Sequence, residues 1–322
     1  MKKEDLRIVY MGTPDFAVES LRRLVEGGYH IVGVITMPDK PIGRHQTELQ
    51  ASPVKRYALE QGLTVLQPTS LKDPEFLEEL RNLQADLQIV VAFRMLPEAV
   101  WGMPRLGTFN LHAALLPQYR GAAPINWAII NGDEQTGITT FFLDHEIDTG
   151  NVIQRVAVPI LDSDNAEDVH DKLMLLGAEL VVETVDNILA DRVKPIPQSE
   201  LETDEPLRPA PKIFKETCRI DWTVGVKRAY DFVRGLSPYP AAWTELLNGN
   251  KRTVLKVYTT EKEFCQVSEP VGRLLSSEDG GLKVVLADGY LHLKTIQLAG
   301  KKRMDIADFM RGFRLDETAM VE

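Results

Sequence analysis

Short, mostly apolar runs rich in β-branched residues alternate with amphipathic stretches along the first half of the chain. Leu6–Tyr10 (LRIVY), Ile31–Ile35 (IVGVI) and Leu87–Ala92 (LQIVVA) are such runs. Strands buried on both faces of a parallel sheet have this composition. Between them, Phe16–Glu26 carries apolar residues at helical spacing and runs into Gly27-Gly28, a helix stop. Asp73-Pro74 ahead of EFLEELRNL supplies an N-cap and a proline at the first helical position. Ile138–Leu143 (ITTFFL) and Val152–Val158 (VIQRVAV) predict two further strands. A long helix is predicted next, capped near Ser163 or Asp164, with an apolar stripe of Val169, Leu173, Leu176, Leu180, Val185 and Ile188. Alternating strand and helix predict an α/β domain with a largely parallel sheet.

The pattern changes at Pro195–Pro211 (PIPQSELETDEPLRPAP), where five of seventeen residues are proline and four are acidic. Proline lacks an amide donor and fixes φ, so this stretch reads as an extended linker. Beyond it, a helix over roughly Val226–Leu236 precedes the strand candidates WTELL, VLKVYTT, VGRLLSS, LKVVLA and YLHLKTIQL. Asp279-Gly280 and Asp288-Gly289 are turn dipeptides of the hairpin type. Short strands with glycine-containing turns predict a small β-barrel, and an OB-like barrel is one candidate.

A length of 322 residues, with 44% apolar and 26% charged side chains, fits a soluble globular protein of two domains. No apolar stretch approaches the ~20 residues of a membrane span. The opening MKKEDLR leads directly into a strand, so no signal peptide is expected. Two cysteines, Cys218 and Cys265, exclude a disulfide scaffold and any CxxC motif, and suit a cytoplasmic protein. HExxH and GxxxxGK[ST] are both absent. The net charge of -10 is unevenly divided. Residues 1–205 carry 18 basic and 32 acidic groups, and residues 206–322 carry 19 and 15. A basic module behind an acidic one fits contact with a polyanion, although ordinary surface variation gives the same count.

The first strand-to-helix turn, Met11-Gly12-Thr13-Pro14, has one glycine and loses an amide to Pro14. That excludes the GxGxxG geometry of a dinucleotide site. The strand TFNLH places Asn110 and His112 two residues apart, hence on one face. An amide and an imidazole at a strand's C-terminal end stand where α/β sheets put their active sites; a hydrogen-bonded core histidine is the plainer alternative. ALLP and RGAAP follow as small-residue loops that let a ligand near the backbone. The turn DHEIDTG offers Asp144, Glu146 and Asp148, any of which can orient a histidine and hold a proton, and spacing does not choose among them. Thr36–Lys55 is a long loop carrying Arg44, and Lys301-Lys302-Arg303 is a basic run past a strand.

Taken together, IVYMGTPDFA, PDKPIGR, SPVK, NLHAALLPQYRGAAPINWAI, DTGNVI, LSPYPAAW and GKKRM, in this order, closely resemble the methionyl-tRNA formyltransferase family over nearly the whole chain. The resemblance implies transfer of a formyl group from the co-substrate 10-formyltetrahydrofolate to the α-amine of methionyl initiator tRNA, with no metal, no DNA and no membrane. It implies a Rossmann-like formyltransferase catalytic domain over 1–194, a proline-rich linker over 195–211 and a C-terminal OB-like tRNA-binding domain over 212–322. The family's catalytic residues fall on Asn110, His112 and Asp148, and its folate loop on Ala114, Leu115, Leu116 and Pro117. Phe93, Met95, Leu96 and Ile147 occupy the region of the pterin pocket. The family's acceptor-stem wedge falls on the long loop, with its arginine at Arg44, while the basic run Lys301, Lys302 and Arg303 beside the barrel suits phosphate contacts to the tRNA. Two places depart from the family pattern: Ala114 stands where many members have serine, and HQTELQ after Arg44 is poor in lysine. A monomer is the expected state. The rivals are another folate-dependent formyltransferase acting on an amino sugar or a purine precursor, and a non-catalytic RNA-binding protein on a transferase scaffold.

Overall fold

A computed structural model describes residues 2–42, 48–201, 203, 205–277 and 280–322. Its elements run β1 (Arg7–Gly12), α1 (Asp15–Glu26), β2 (His30–Ile35), β3 (Lys40–Ile42), β4 (Glu48–Gln50), α2 (Pro53–Glu60), β5 (Val65–Leu66), α3 (Pro74–Asn82), β6 (Leu87–Val91), α4 (Glu98–Trp101), β7 (Thr108–His112), α5 (Pro124–Ile130), β8 (Gln135–Phe142), β9 (Val152–Pro159) and α6 (Ala166–Leu189). They continue through α7 (Val226–Gly235), β10 (Ala242–Asn248), β11 (Lys251–Phe264), β12 (Leu274–Ser276), β13 (Leu282–Leu286), β14 (Gly289–Leu298), β15 (Met304–Asp305), α8 (Ile306–Gly312) and β16 (Met320–Val321). Contacts divide the chain into one unit of residues 1–121, 136–158 and 170–209 and another of 122–135, 159–169 and 210–322.

The first unit holds a seven-stranded sheet in the order β5-β2-β1-β6-β7-β8-β9. Pairings from β5 through β7 are parallel, and β7 meets β8 antiparallel. The arrangement is Rossmann-like, as the strand–helix alternation predicts. From β1 the chain winds outward to β2 and β5 and then returns to β6 on the other side of β1. The reversal falls at the C-terminal ends of β1 and β6, with β7 beside them, the position at which such sheets bind ligands.

The helix ends follow local chemistry. Asp73 caps α3 by accepting the Glu75 amide at 3.0 Å, with Pro74 first in the helix. Ser52 caps α2 in the same way through Lys55. The predicted long loop 36–55 therefore contains a short β3–β4 hairpin and the start of α2. Its base is tied by Thr36 to Ser52 at 2.7 Å and by Lys55 to Asp39 at 2.6 Å. Hydrogen bonds from Lys55 and then Gln67 hold the Asp39 carboxyl below its ordinary range.

Two expectations for α6 are corrected. Its amides at Glu167 and Asp168 are capped by Asn165, not by Ser163 or Asp164, because the Asn165 side chain faces those amides at 2.7 and 3.1 Å. Leu176 is exposed, and Gly177 takes the inward place beside it. A Cβ on Gly177 would come within 2.7 Å of Leu111 of β7, so close approach of helix and strand displaces the leucine from the stripe.

The second unit holds a seven-stranded antiparallel sheet, β12-β13-β14-β11-β10-β16 with β15 paired to β14, nearly closed into a barrel. Closure runs through the C-terminal strand: Leu274 N–H donates to Ala319 O at 2.9 Å and Val321 N–H to Gly272 O at 2.8 Å. A bulge near Val257–Thr260 bends β11, as a curving sheet requires. Trp222, Val226, Val233, Leu255, Val284 and Leu291 fill the interior. Among the described residues, no helix is long and apolar enough to cross a membrane.

The same unit buries a charged group. Asp231 of α7 accepts from Arg234 Nε at 2.8 Å and from Lys227 Nζ at 2.5 Å. Arg234 also donates to the carbonyls of Leu161 and Asp164 at 3.1 and 2.8 Å, fastening residues 159–169 within the unit. Removing one partner of a buried pair strands the other, which costs about 3–5 kcal/mol. Asp231→Ala is therefore expected to lower stability by about that amount, and the paired Asp231→Leu/Arg234→Met variant by clearly less. Urea unfolding followed by tryptophan fluorescence, with Trp222 in this core, measures both.

Candidate active site

Strand β7 sets the first two candidate groups. Thr108, Phe109 and Leu111 are buried, while Asn110 is half-buried and shares a strand face with the nearly buried His112. The carbonyl of Tyr119 lies 2.8 Å from His112 Nε2. A carbonyl only accepts, so Nε2 carries a proton and Nδ1 is the nitrogen left for chemistry. That Nδ1 faces Asp148 Oδ2 at 3.8 Å, within electrostatic reach but beyond a hydrogen bond.

The turn after β8 chooses among the three acids that spacing left open. Asp148 reaches His112. Asp144 instead accepts the His145 amide at 2.6 Å. The Glu146 carbonyl accepts from Thr149 at 3.1 Å. His145 stands edge-on to Trp101 and 3.8 Å from Glu98. Asp148 itself adopts φ +56°, a left-handed conformation that aspartate tolerates better than most residues. Gly150 has no alternative, since a Cβ there would lie 1.7 Å from the Phe142 carbonyl oxygen.

Four residues that the sequence reading did not single out complete the frame. Gly121 N–H donates to Asp148 Oδ2 at 2.9 Å. Tyr119 holds His112. Gln198, buried in the proline-rich segment, donates through Nε2 to the carbonyls of Asp148 and Gly150 at 2.8 and 2.9 Å. Arg120 donates to Gln198 Oε1 through Nε and Nη2, at 3.0 and 2.7 Å. The described part of the segment is not wholly extended, since Gln198–Glu200 form a 3-10 turn, and it is docked, not free. Ile196 bridges Val152, and the Arg208 carbonyl accepts the Tyr119 amide at 2.8 Å. For Arg120 and Gly121 the small-residue loop RGAAP was a partial signal; for Gln198 the sequence held none.

The folate candidates divide into two sets. Ala114, Leu116 and Pro117 are buried and Leu115 is half-buried. Thr139 Oγ1 donates to Ala114 O at 2.6 Å and accepts the Leu116 amide at 3.1 Å, while Arg155 donates to Leu116 O at 2.9 Å. The loop is thus held rigidly by protein. Met95 and Ile147 are largely exposed, with Phe93 half-buried and Leu96 buried in the adjoining cluster of Val90, Val100 and Leu143. Of the RNA candidates, Arg44 lies outside the described residues. Lys301, Lys302 and Arg303 are exposed in the second unit, and the Arg303 guanidinium lies 4.1 Å from the Tyr258 ring.

The chain matches the family model Formyl transferase over residues 6–185 and Formyl transferase, C-terminal domain, over residues 212–314. It is 68% identical to the methionyl-tRNA formyltransferase of Phocaeicola vulgatus over the full length of both chains. It is 66% identical to that of Parabacteroides distasonis, with 98% of each chain covered. Among solved structures it is similar in fold to HypX from Aquifex aeolicus in complex with tetrahydrofolic acid, with a TM-score of 0.63 and 19% identity, covering 97% of this chain and 48% of that one.

The turn that carries Asp148 depends on Gly150. Gly150→Ala is expected to move the carboxylate and to lower stability by about 1–3 kcal/mol, as for an overpacked site. Thermal melts alongside turnover measurements would check this; a variant with normal melting and normal activity contradicts the clash.

Proposed function

This chain belongs to the methionyl-tRNA formyltransferase family and is a formyl-transferring enzyme, and we propose that it carries the formyl group of 10-formyltetrahydrofolate to the α-amino group of methionyl initiator tRNA through Asn110, His112 and Asp148. The supporting observation is the approach of Asp148 to 3.8 Å from His112 Nδ1, with Asn110 on the same strand face. The catalytic role belongs to the first unit. RNA contact by the C-terminal part of the chain is supported by the basic balance of 19 to 15 over residues 206–322.

In this mechanism the amine nitrogen adds to the formyl carbon, and the tetrahedral intermediate then collapses by breaking the bond from that carbon to N10 of the folate. The proton lost by the amine ends on N10. The tetrahedral intermediate carries an oxyanion, which needs donors fixed in advance. Asn110 supplies an amide N–H. His112, with Nε2 already bonded to Tyr119 O, turns Nδ1 toward the reacting atoms. Asp148 has one oxygen occupied by the Gly121 amide. Its other oxygen takes a proton from the methionyl ammonium, directly or through water, which frees the amine to attack. No covalent enzyme intermediate is needed, and neither cysteine belongs to these motifs.

Met95, Ile147 and Phe93 offer apolar surface for the pterin, with Leu96 beneath, and the fixed loop Ala114–Pro117 gives it a rigid wall. Arg44, Lys301, Lys302 and Arg303 contact the tRNA. The enzyme acts as a monomer in the cytoplasm.

A transfer assay with labelled 10-formyltetrahydrofolate tests the function. Met-charged initiator tRNA is expected to be formylated well, Met-charged elongator tRNA poorly and free amines or amino sugars hardly at all. Asn110→Ala is expected to cut turnover by about 10²–10³, with His112→Ala and Asp148→Asn also losing orders of magnitude while remaining folded. Near-normal rates in these variants would remove the residues from the mechanism. Neutralising Lys301, Lys302 and Arg303 together is expected to weaken tRNA binding and to flatten the slope of log affinity against log salt by up to about 2, on the scale of roughly 0.7–0.9 per phosphate contact. An unchanged slope places the RNA on another surface.

A further inference from the structure

We infer that Gln198 and Arg120 are positioning residues for the Asp148 carboxylate, so that a glutamine from the proline-rich segment sets the geometry of the catalytic turn. The inference rests on Asp148 being a reacting group. It starts from the saturation of one side chain. Gln198 is buried, and all four of its hydrogen-bonding capacities are used. Its NH₂ faces two carbonyls, Asp148 O and Gly150 O, which only accept. Its oxygen faces the Arg120 guanidinium, which only donates. The amide therefore fits one way round, and glutamate, though the same size, does not replace it. A carboxylate keeps the Arg120 contact and sets its second oxygen against two carbonyl oxygens.

Both carbonyls belong to the turn whose side chain does the chemistry. Asp148 is left-handed at φ +56°, and Gly150 is packed against the Phe142 carbonyl. Clamping the carbonyls on either side of Thr149 fixes the peptide planes of the turn, and with them the direction of the Asp148 Cα–Cβ bond. Arg120 lies next to Gly121, whose amide holds Asp148 Oδ2. One loop thus grips the carboxylate by its side chain directly and by its backbone through Gln198. Neither Gln198 nor Arg120 touches Asp148 Oδ1 or His112 in this network, so their effect reaches the reaction through orientation. A misplacement of about 1 Å at a reacting group can cost on the order of 10² in rate.

The test is a kinetic cycle. Gln198→Glu, Arg120→Met and Asp148→Asn are prepared singly, and each of the first two is combined with the third; single-turnover formylation keeps slow variants measurable. Gln198→Glu and Arg120→Met are each expected to lower kcat about tenfold to a hundredfold, with KM for tRNA and folate changing by less than about threefold. In the Asp148→Asn background the same changes are expected to cost less than about twofold more, because the group they position is already gone. Losses that multiply fully with Asp148→Asn, effects confined to KM, or normal kcat in the folded variants each overturn the inference. Loss of folding in both Gln198→Glu and Arg120→Met also overturns it, since the network is then a scaffold for the unit as a whole. Full activity of Asp148→Asn alone sinks the catalytic assignment itself, an outcome distinct from these.

Discussion

A carboxylate in a turn has no regular ladder to hold it, and the site depends on this one being held. Asp148 lies in left-handed backbone, a region that costs of order 1 kcal/mol for a residue with a Cβ. What offsets that cost is hydrogen bonding from other parts of the chain: the Gly121 amide on the carboxylate and the Gln198 amide on the main chain. Each of these donors needs its own support. Gly121 presents its amide from a turn in which Tyr119 is left-handed, with φ +59°, and Gly121 itself has φ +128°. The carbonyl of that Tyr119 then takes His112 Nε2. Imidazole and carboxylate are therefore placed by the same loop, and a shift in one is felt by the other.

How much of this could be read from residues alone varies with the range of the interaction. Periodicity is local, and it located the longer strands of both units and helices α1, α3, α6 and α7 to within a few residues, while the short strands β3, β4, β5, β15 and β16 and helix α2 went unread. The i, i+2 spacing of Asn110 and His112 is equally local, and their shared face was legible for that reason. Asp148 was not separable from Asp144 and Glu146 by spacing, because the turn's fold depends on contacts with distant loops; only the family resemblance singled it out. Gln198 was invisible. Proline content announces an extended segment, but composition says nothing about the 3-10 turn at Gln198–Glu200 or about the surface on which the segment lies. Leu176 failed for a packing reason: the stripe predicted a leucine where β7 comes so close that a glycine, Gly177, must face it.

Charge counting met a similar limit in the second unit. The surplus of cations over residues 206–322 was legible, but many of them are paired. Arg219 and Arg252 meet Glu245, Lys262 meets Asp162, and Lys294 meets Glu261. Arg234 is spent on the buried Asp231. A net balance records the sum of such groups and not their placement, so the count supports an anionic partner without saying which cations would meet it. Lys301 and Lys302 draw their interest from exposure on a turn, not from the total.

The loop after β7 shows why a departure from the family pattern need not weaken the site. Ala114 is fully buried, and Thr139 already spends its hydroxyl on Ala114 O and on the Leu116 amide. A serine there would bring a second hydroxyl into a place whose nearest polar group is occupied, and alanine avoids the cost of burying it unpaired. The polar atoms that fix the loop are main-chain ones, bonded to Thr139 and to Arg155. Replacing a side chain at that point leaves them untouched. In the proposed folate site, a loop that is rigid before the ligand arrives loses little freedom on binding, so its contribution would lie in its fixed backbone and not in a hydroxyl at position 114.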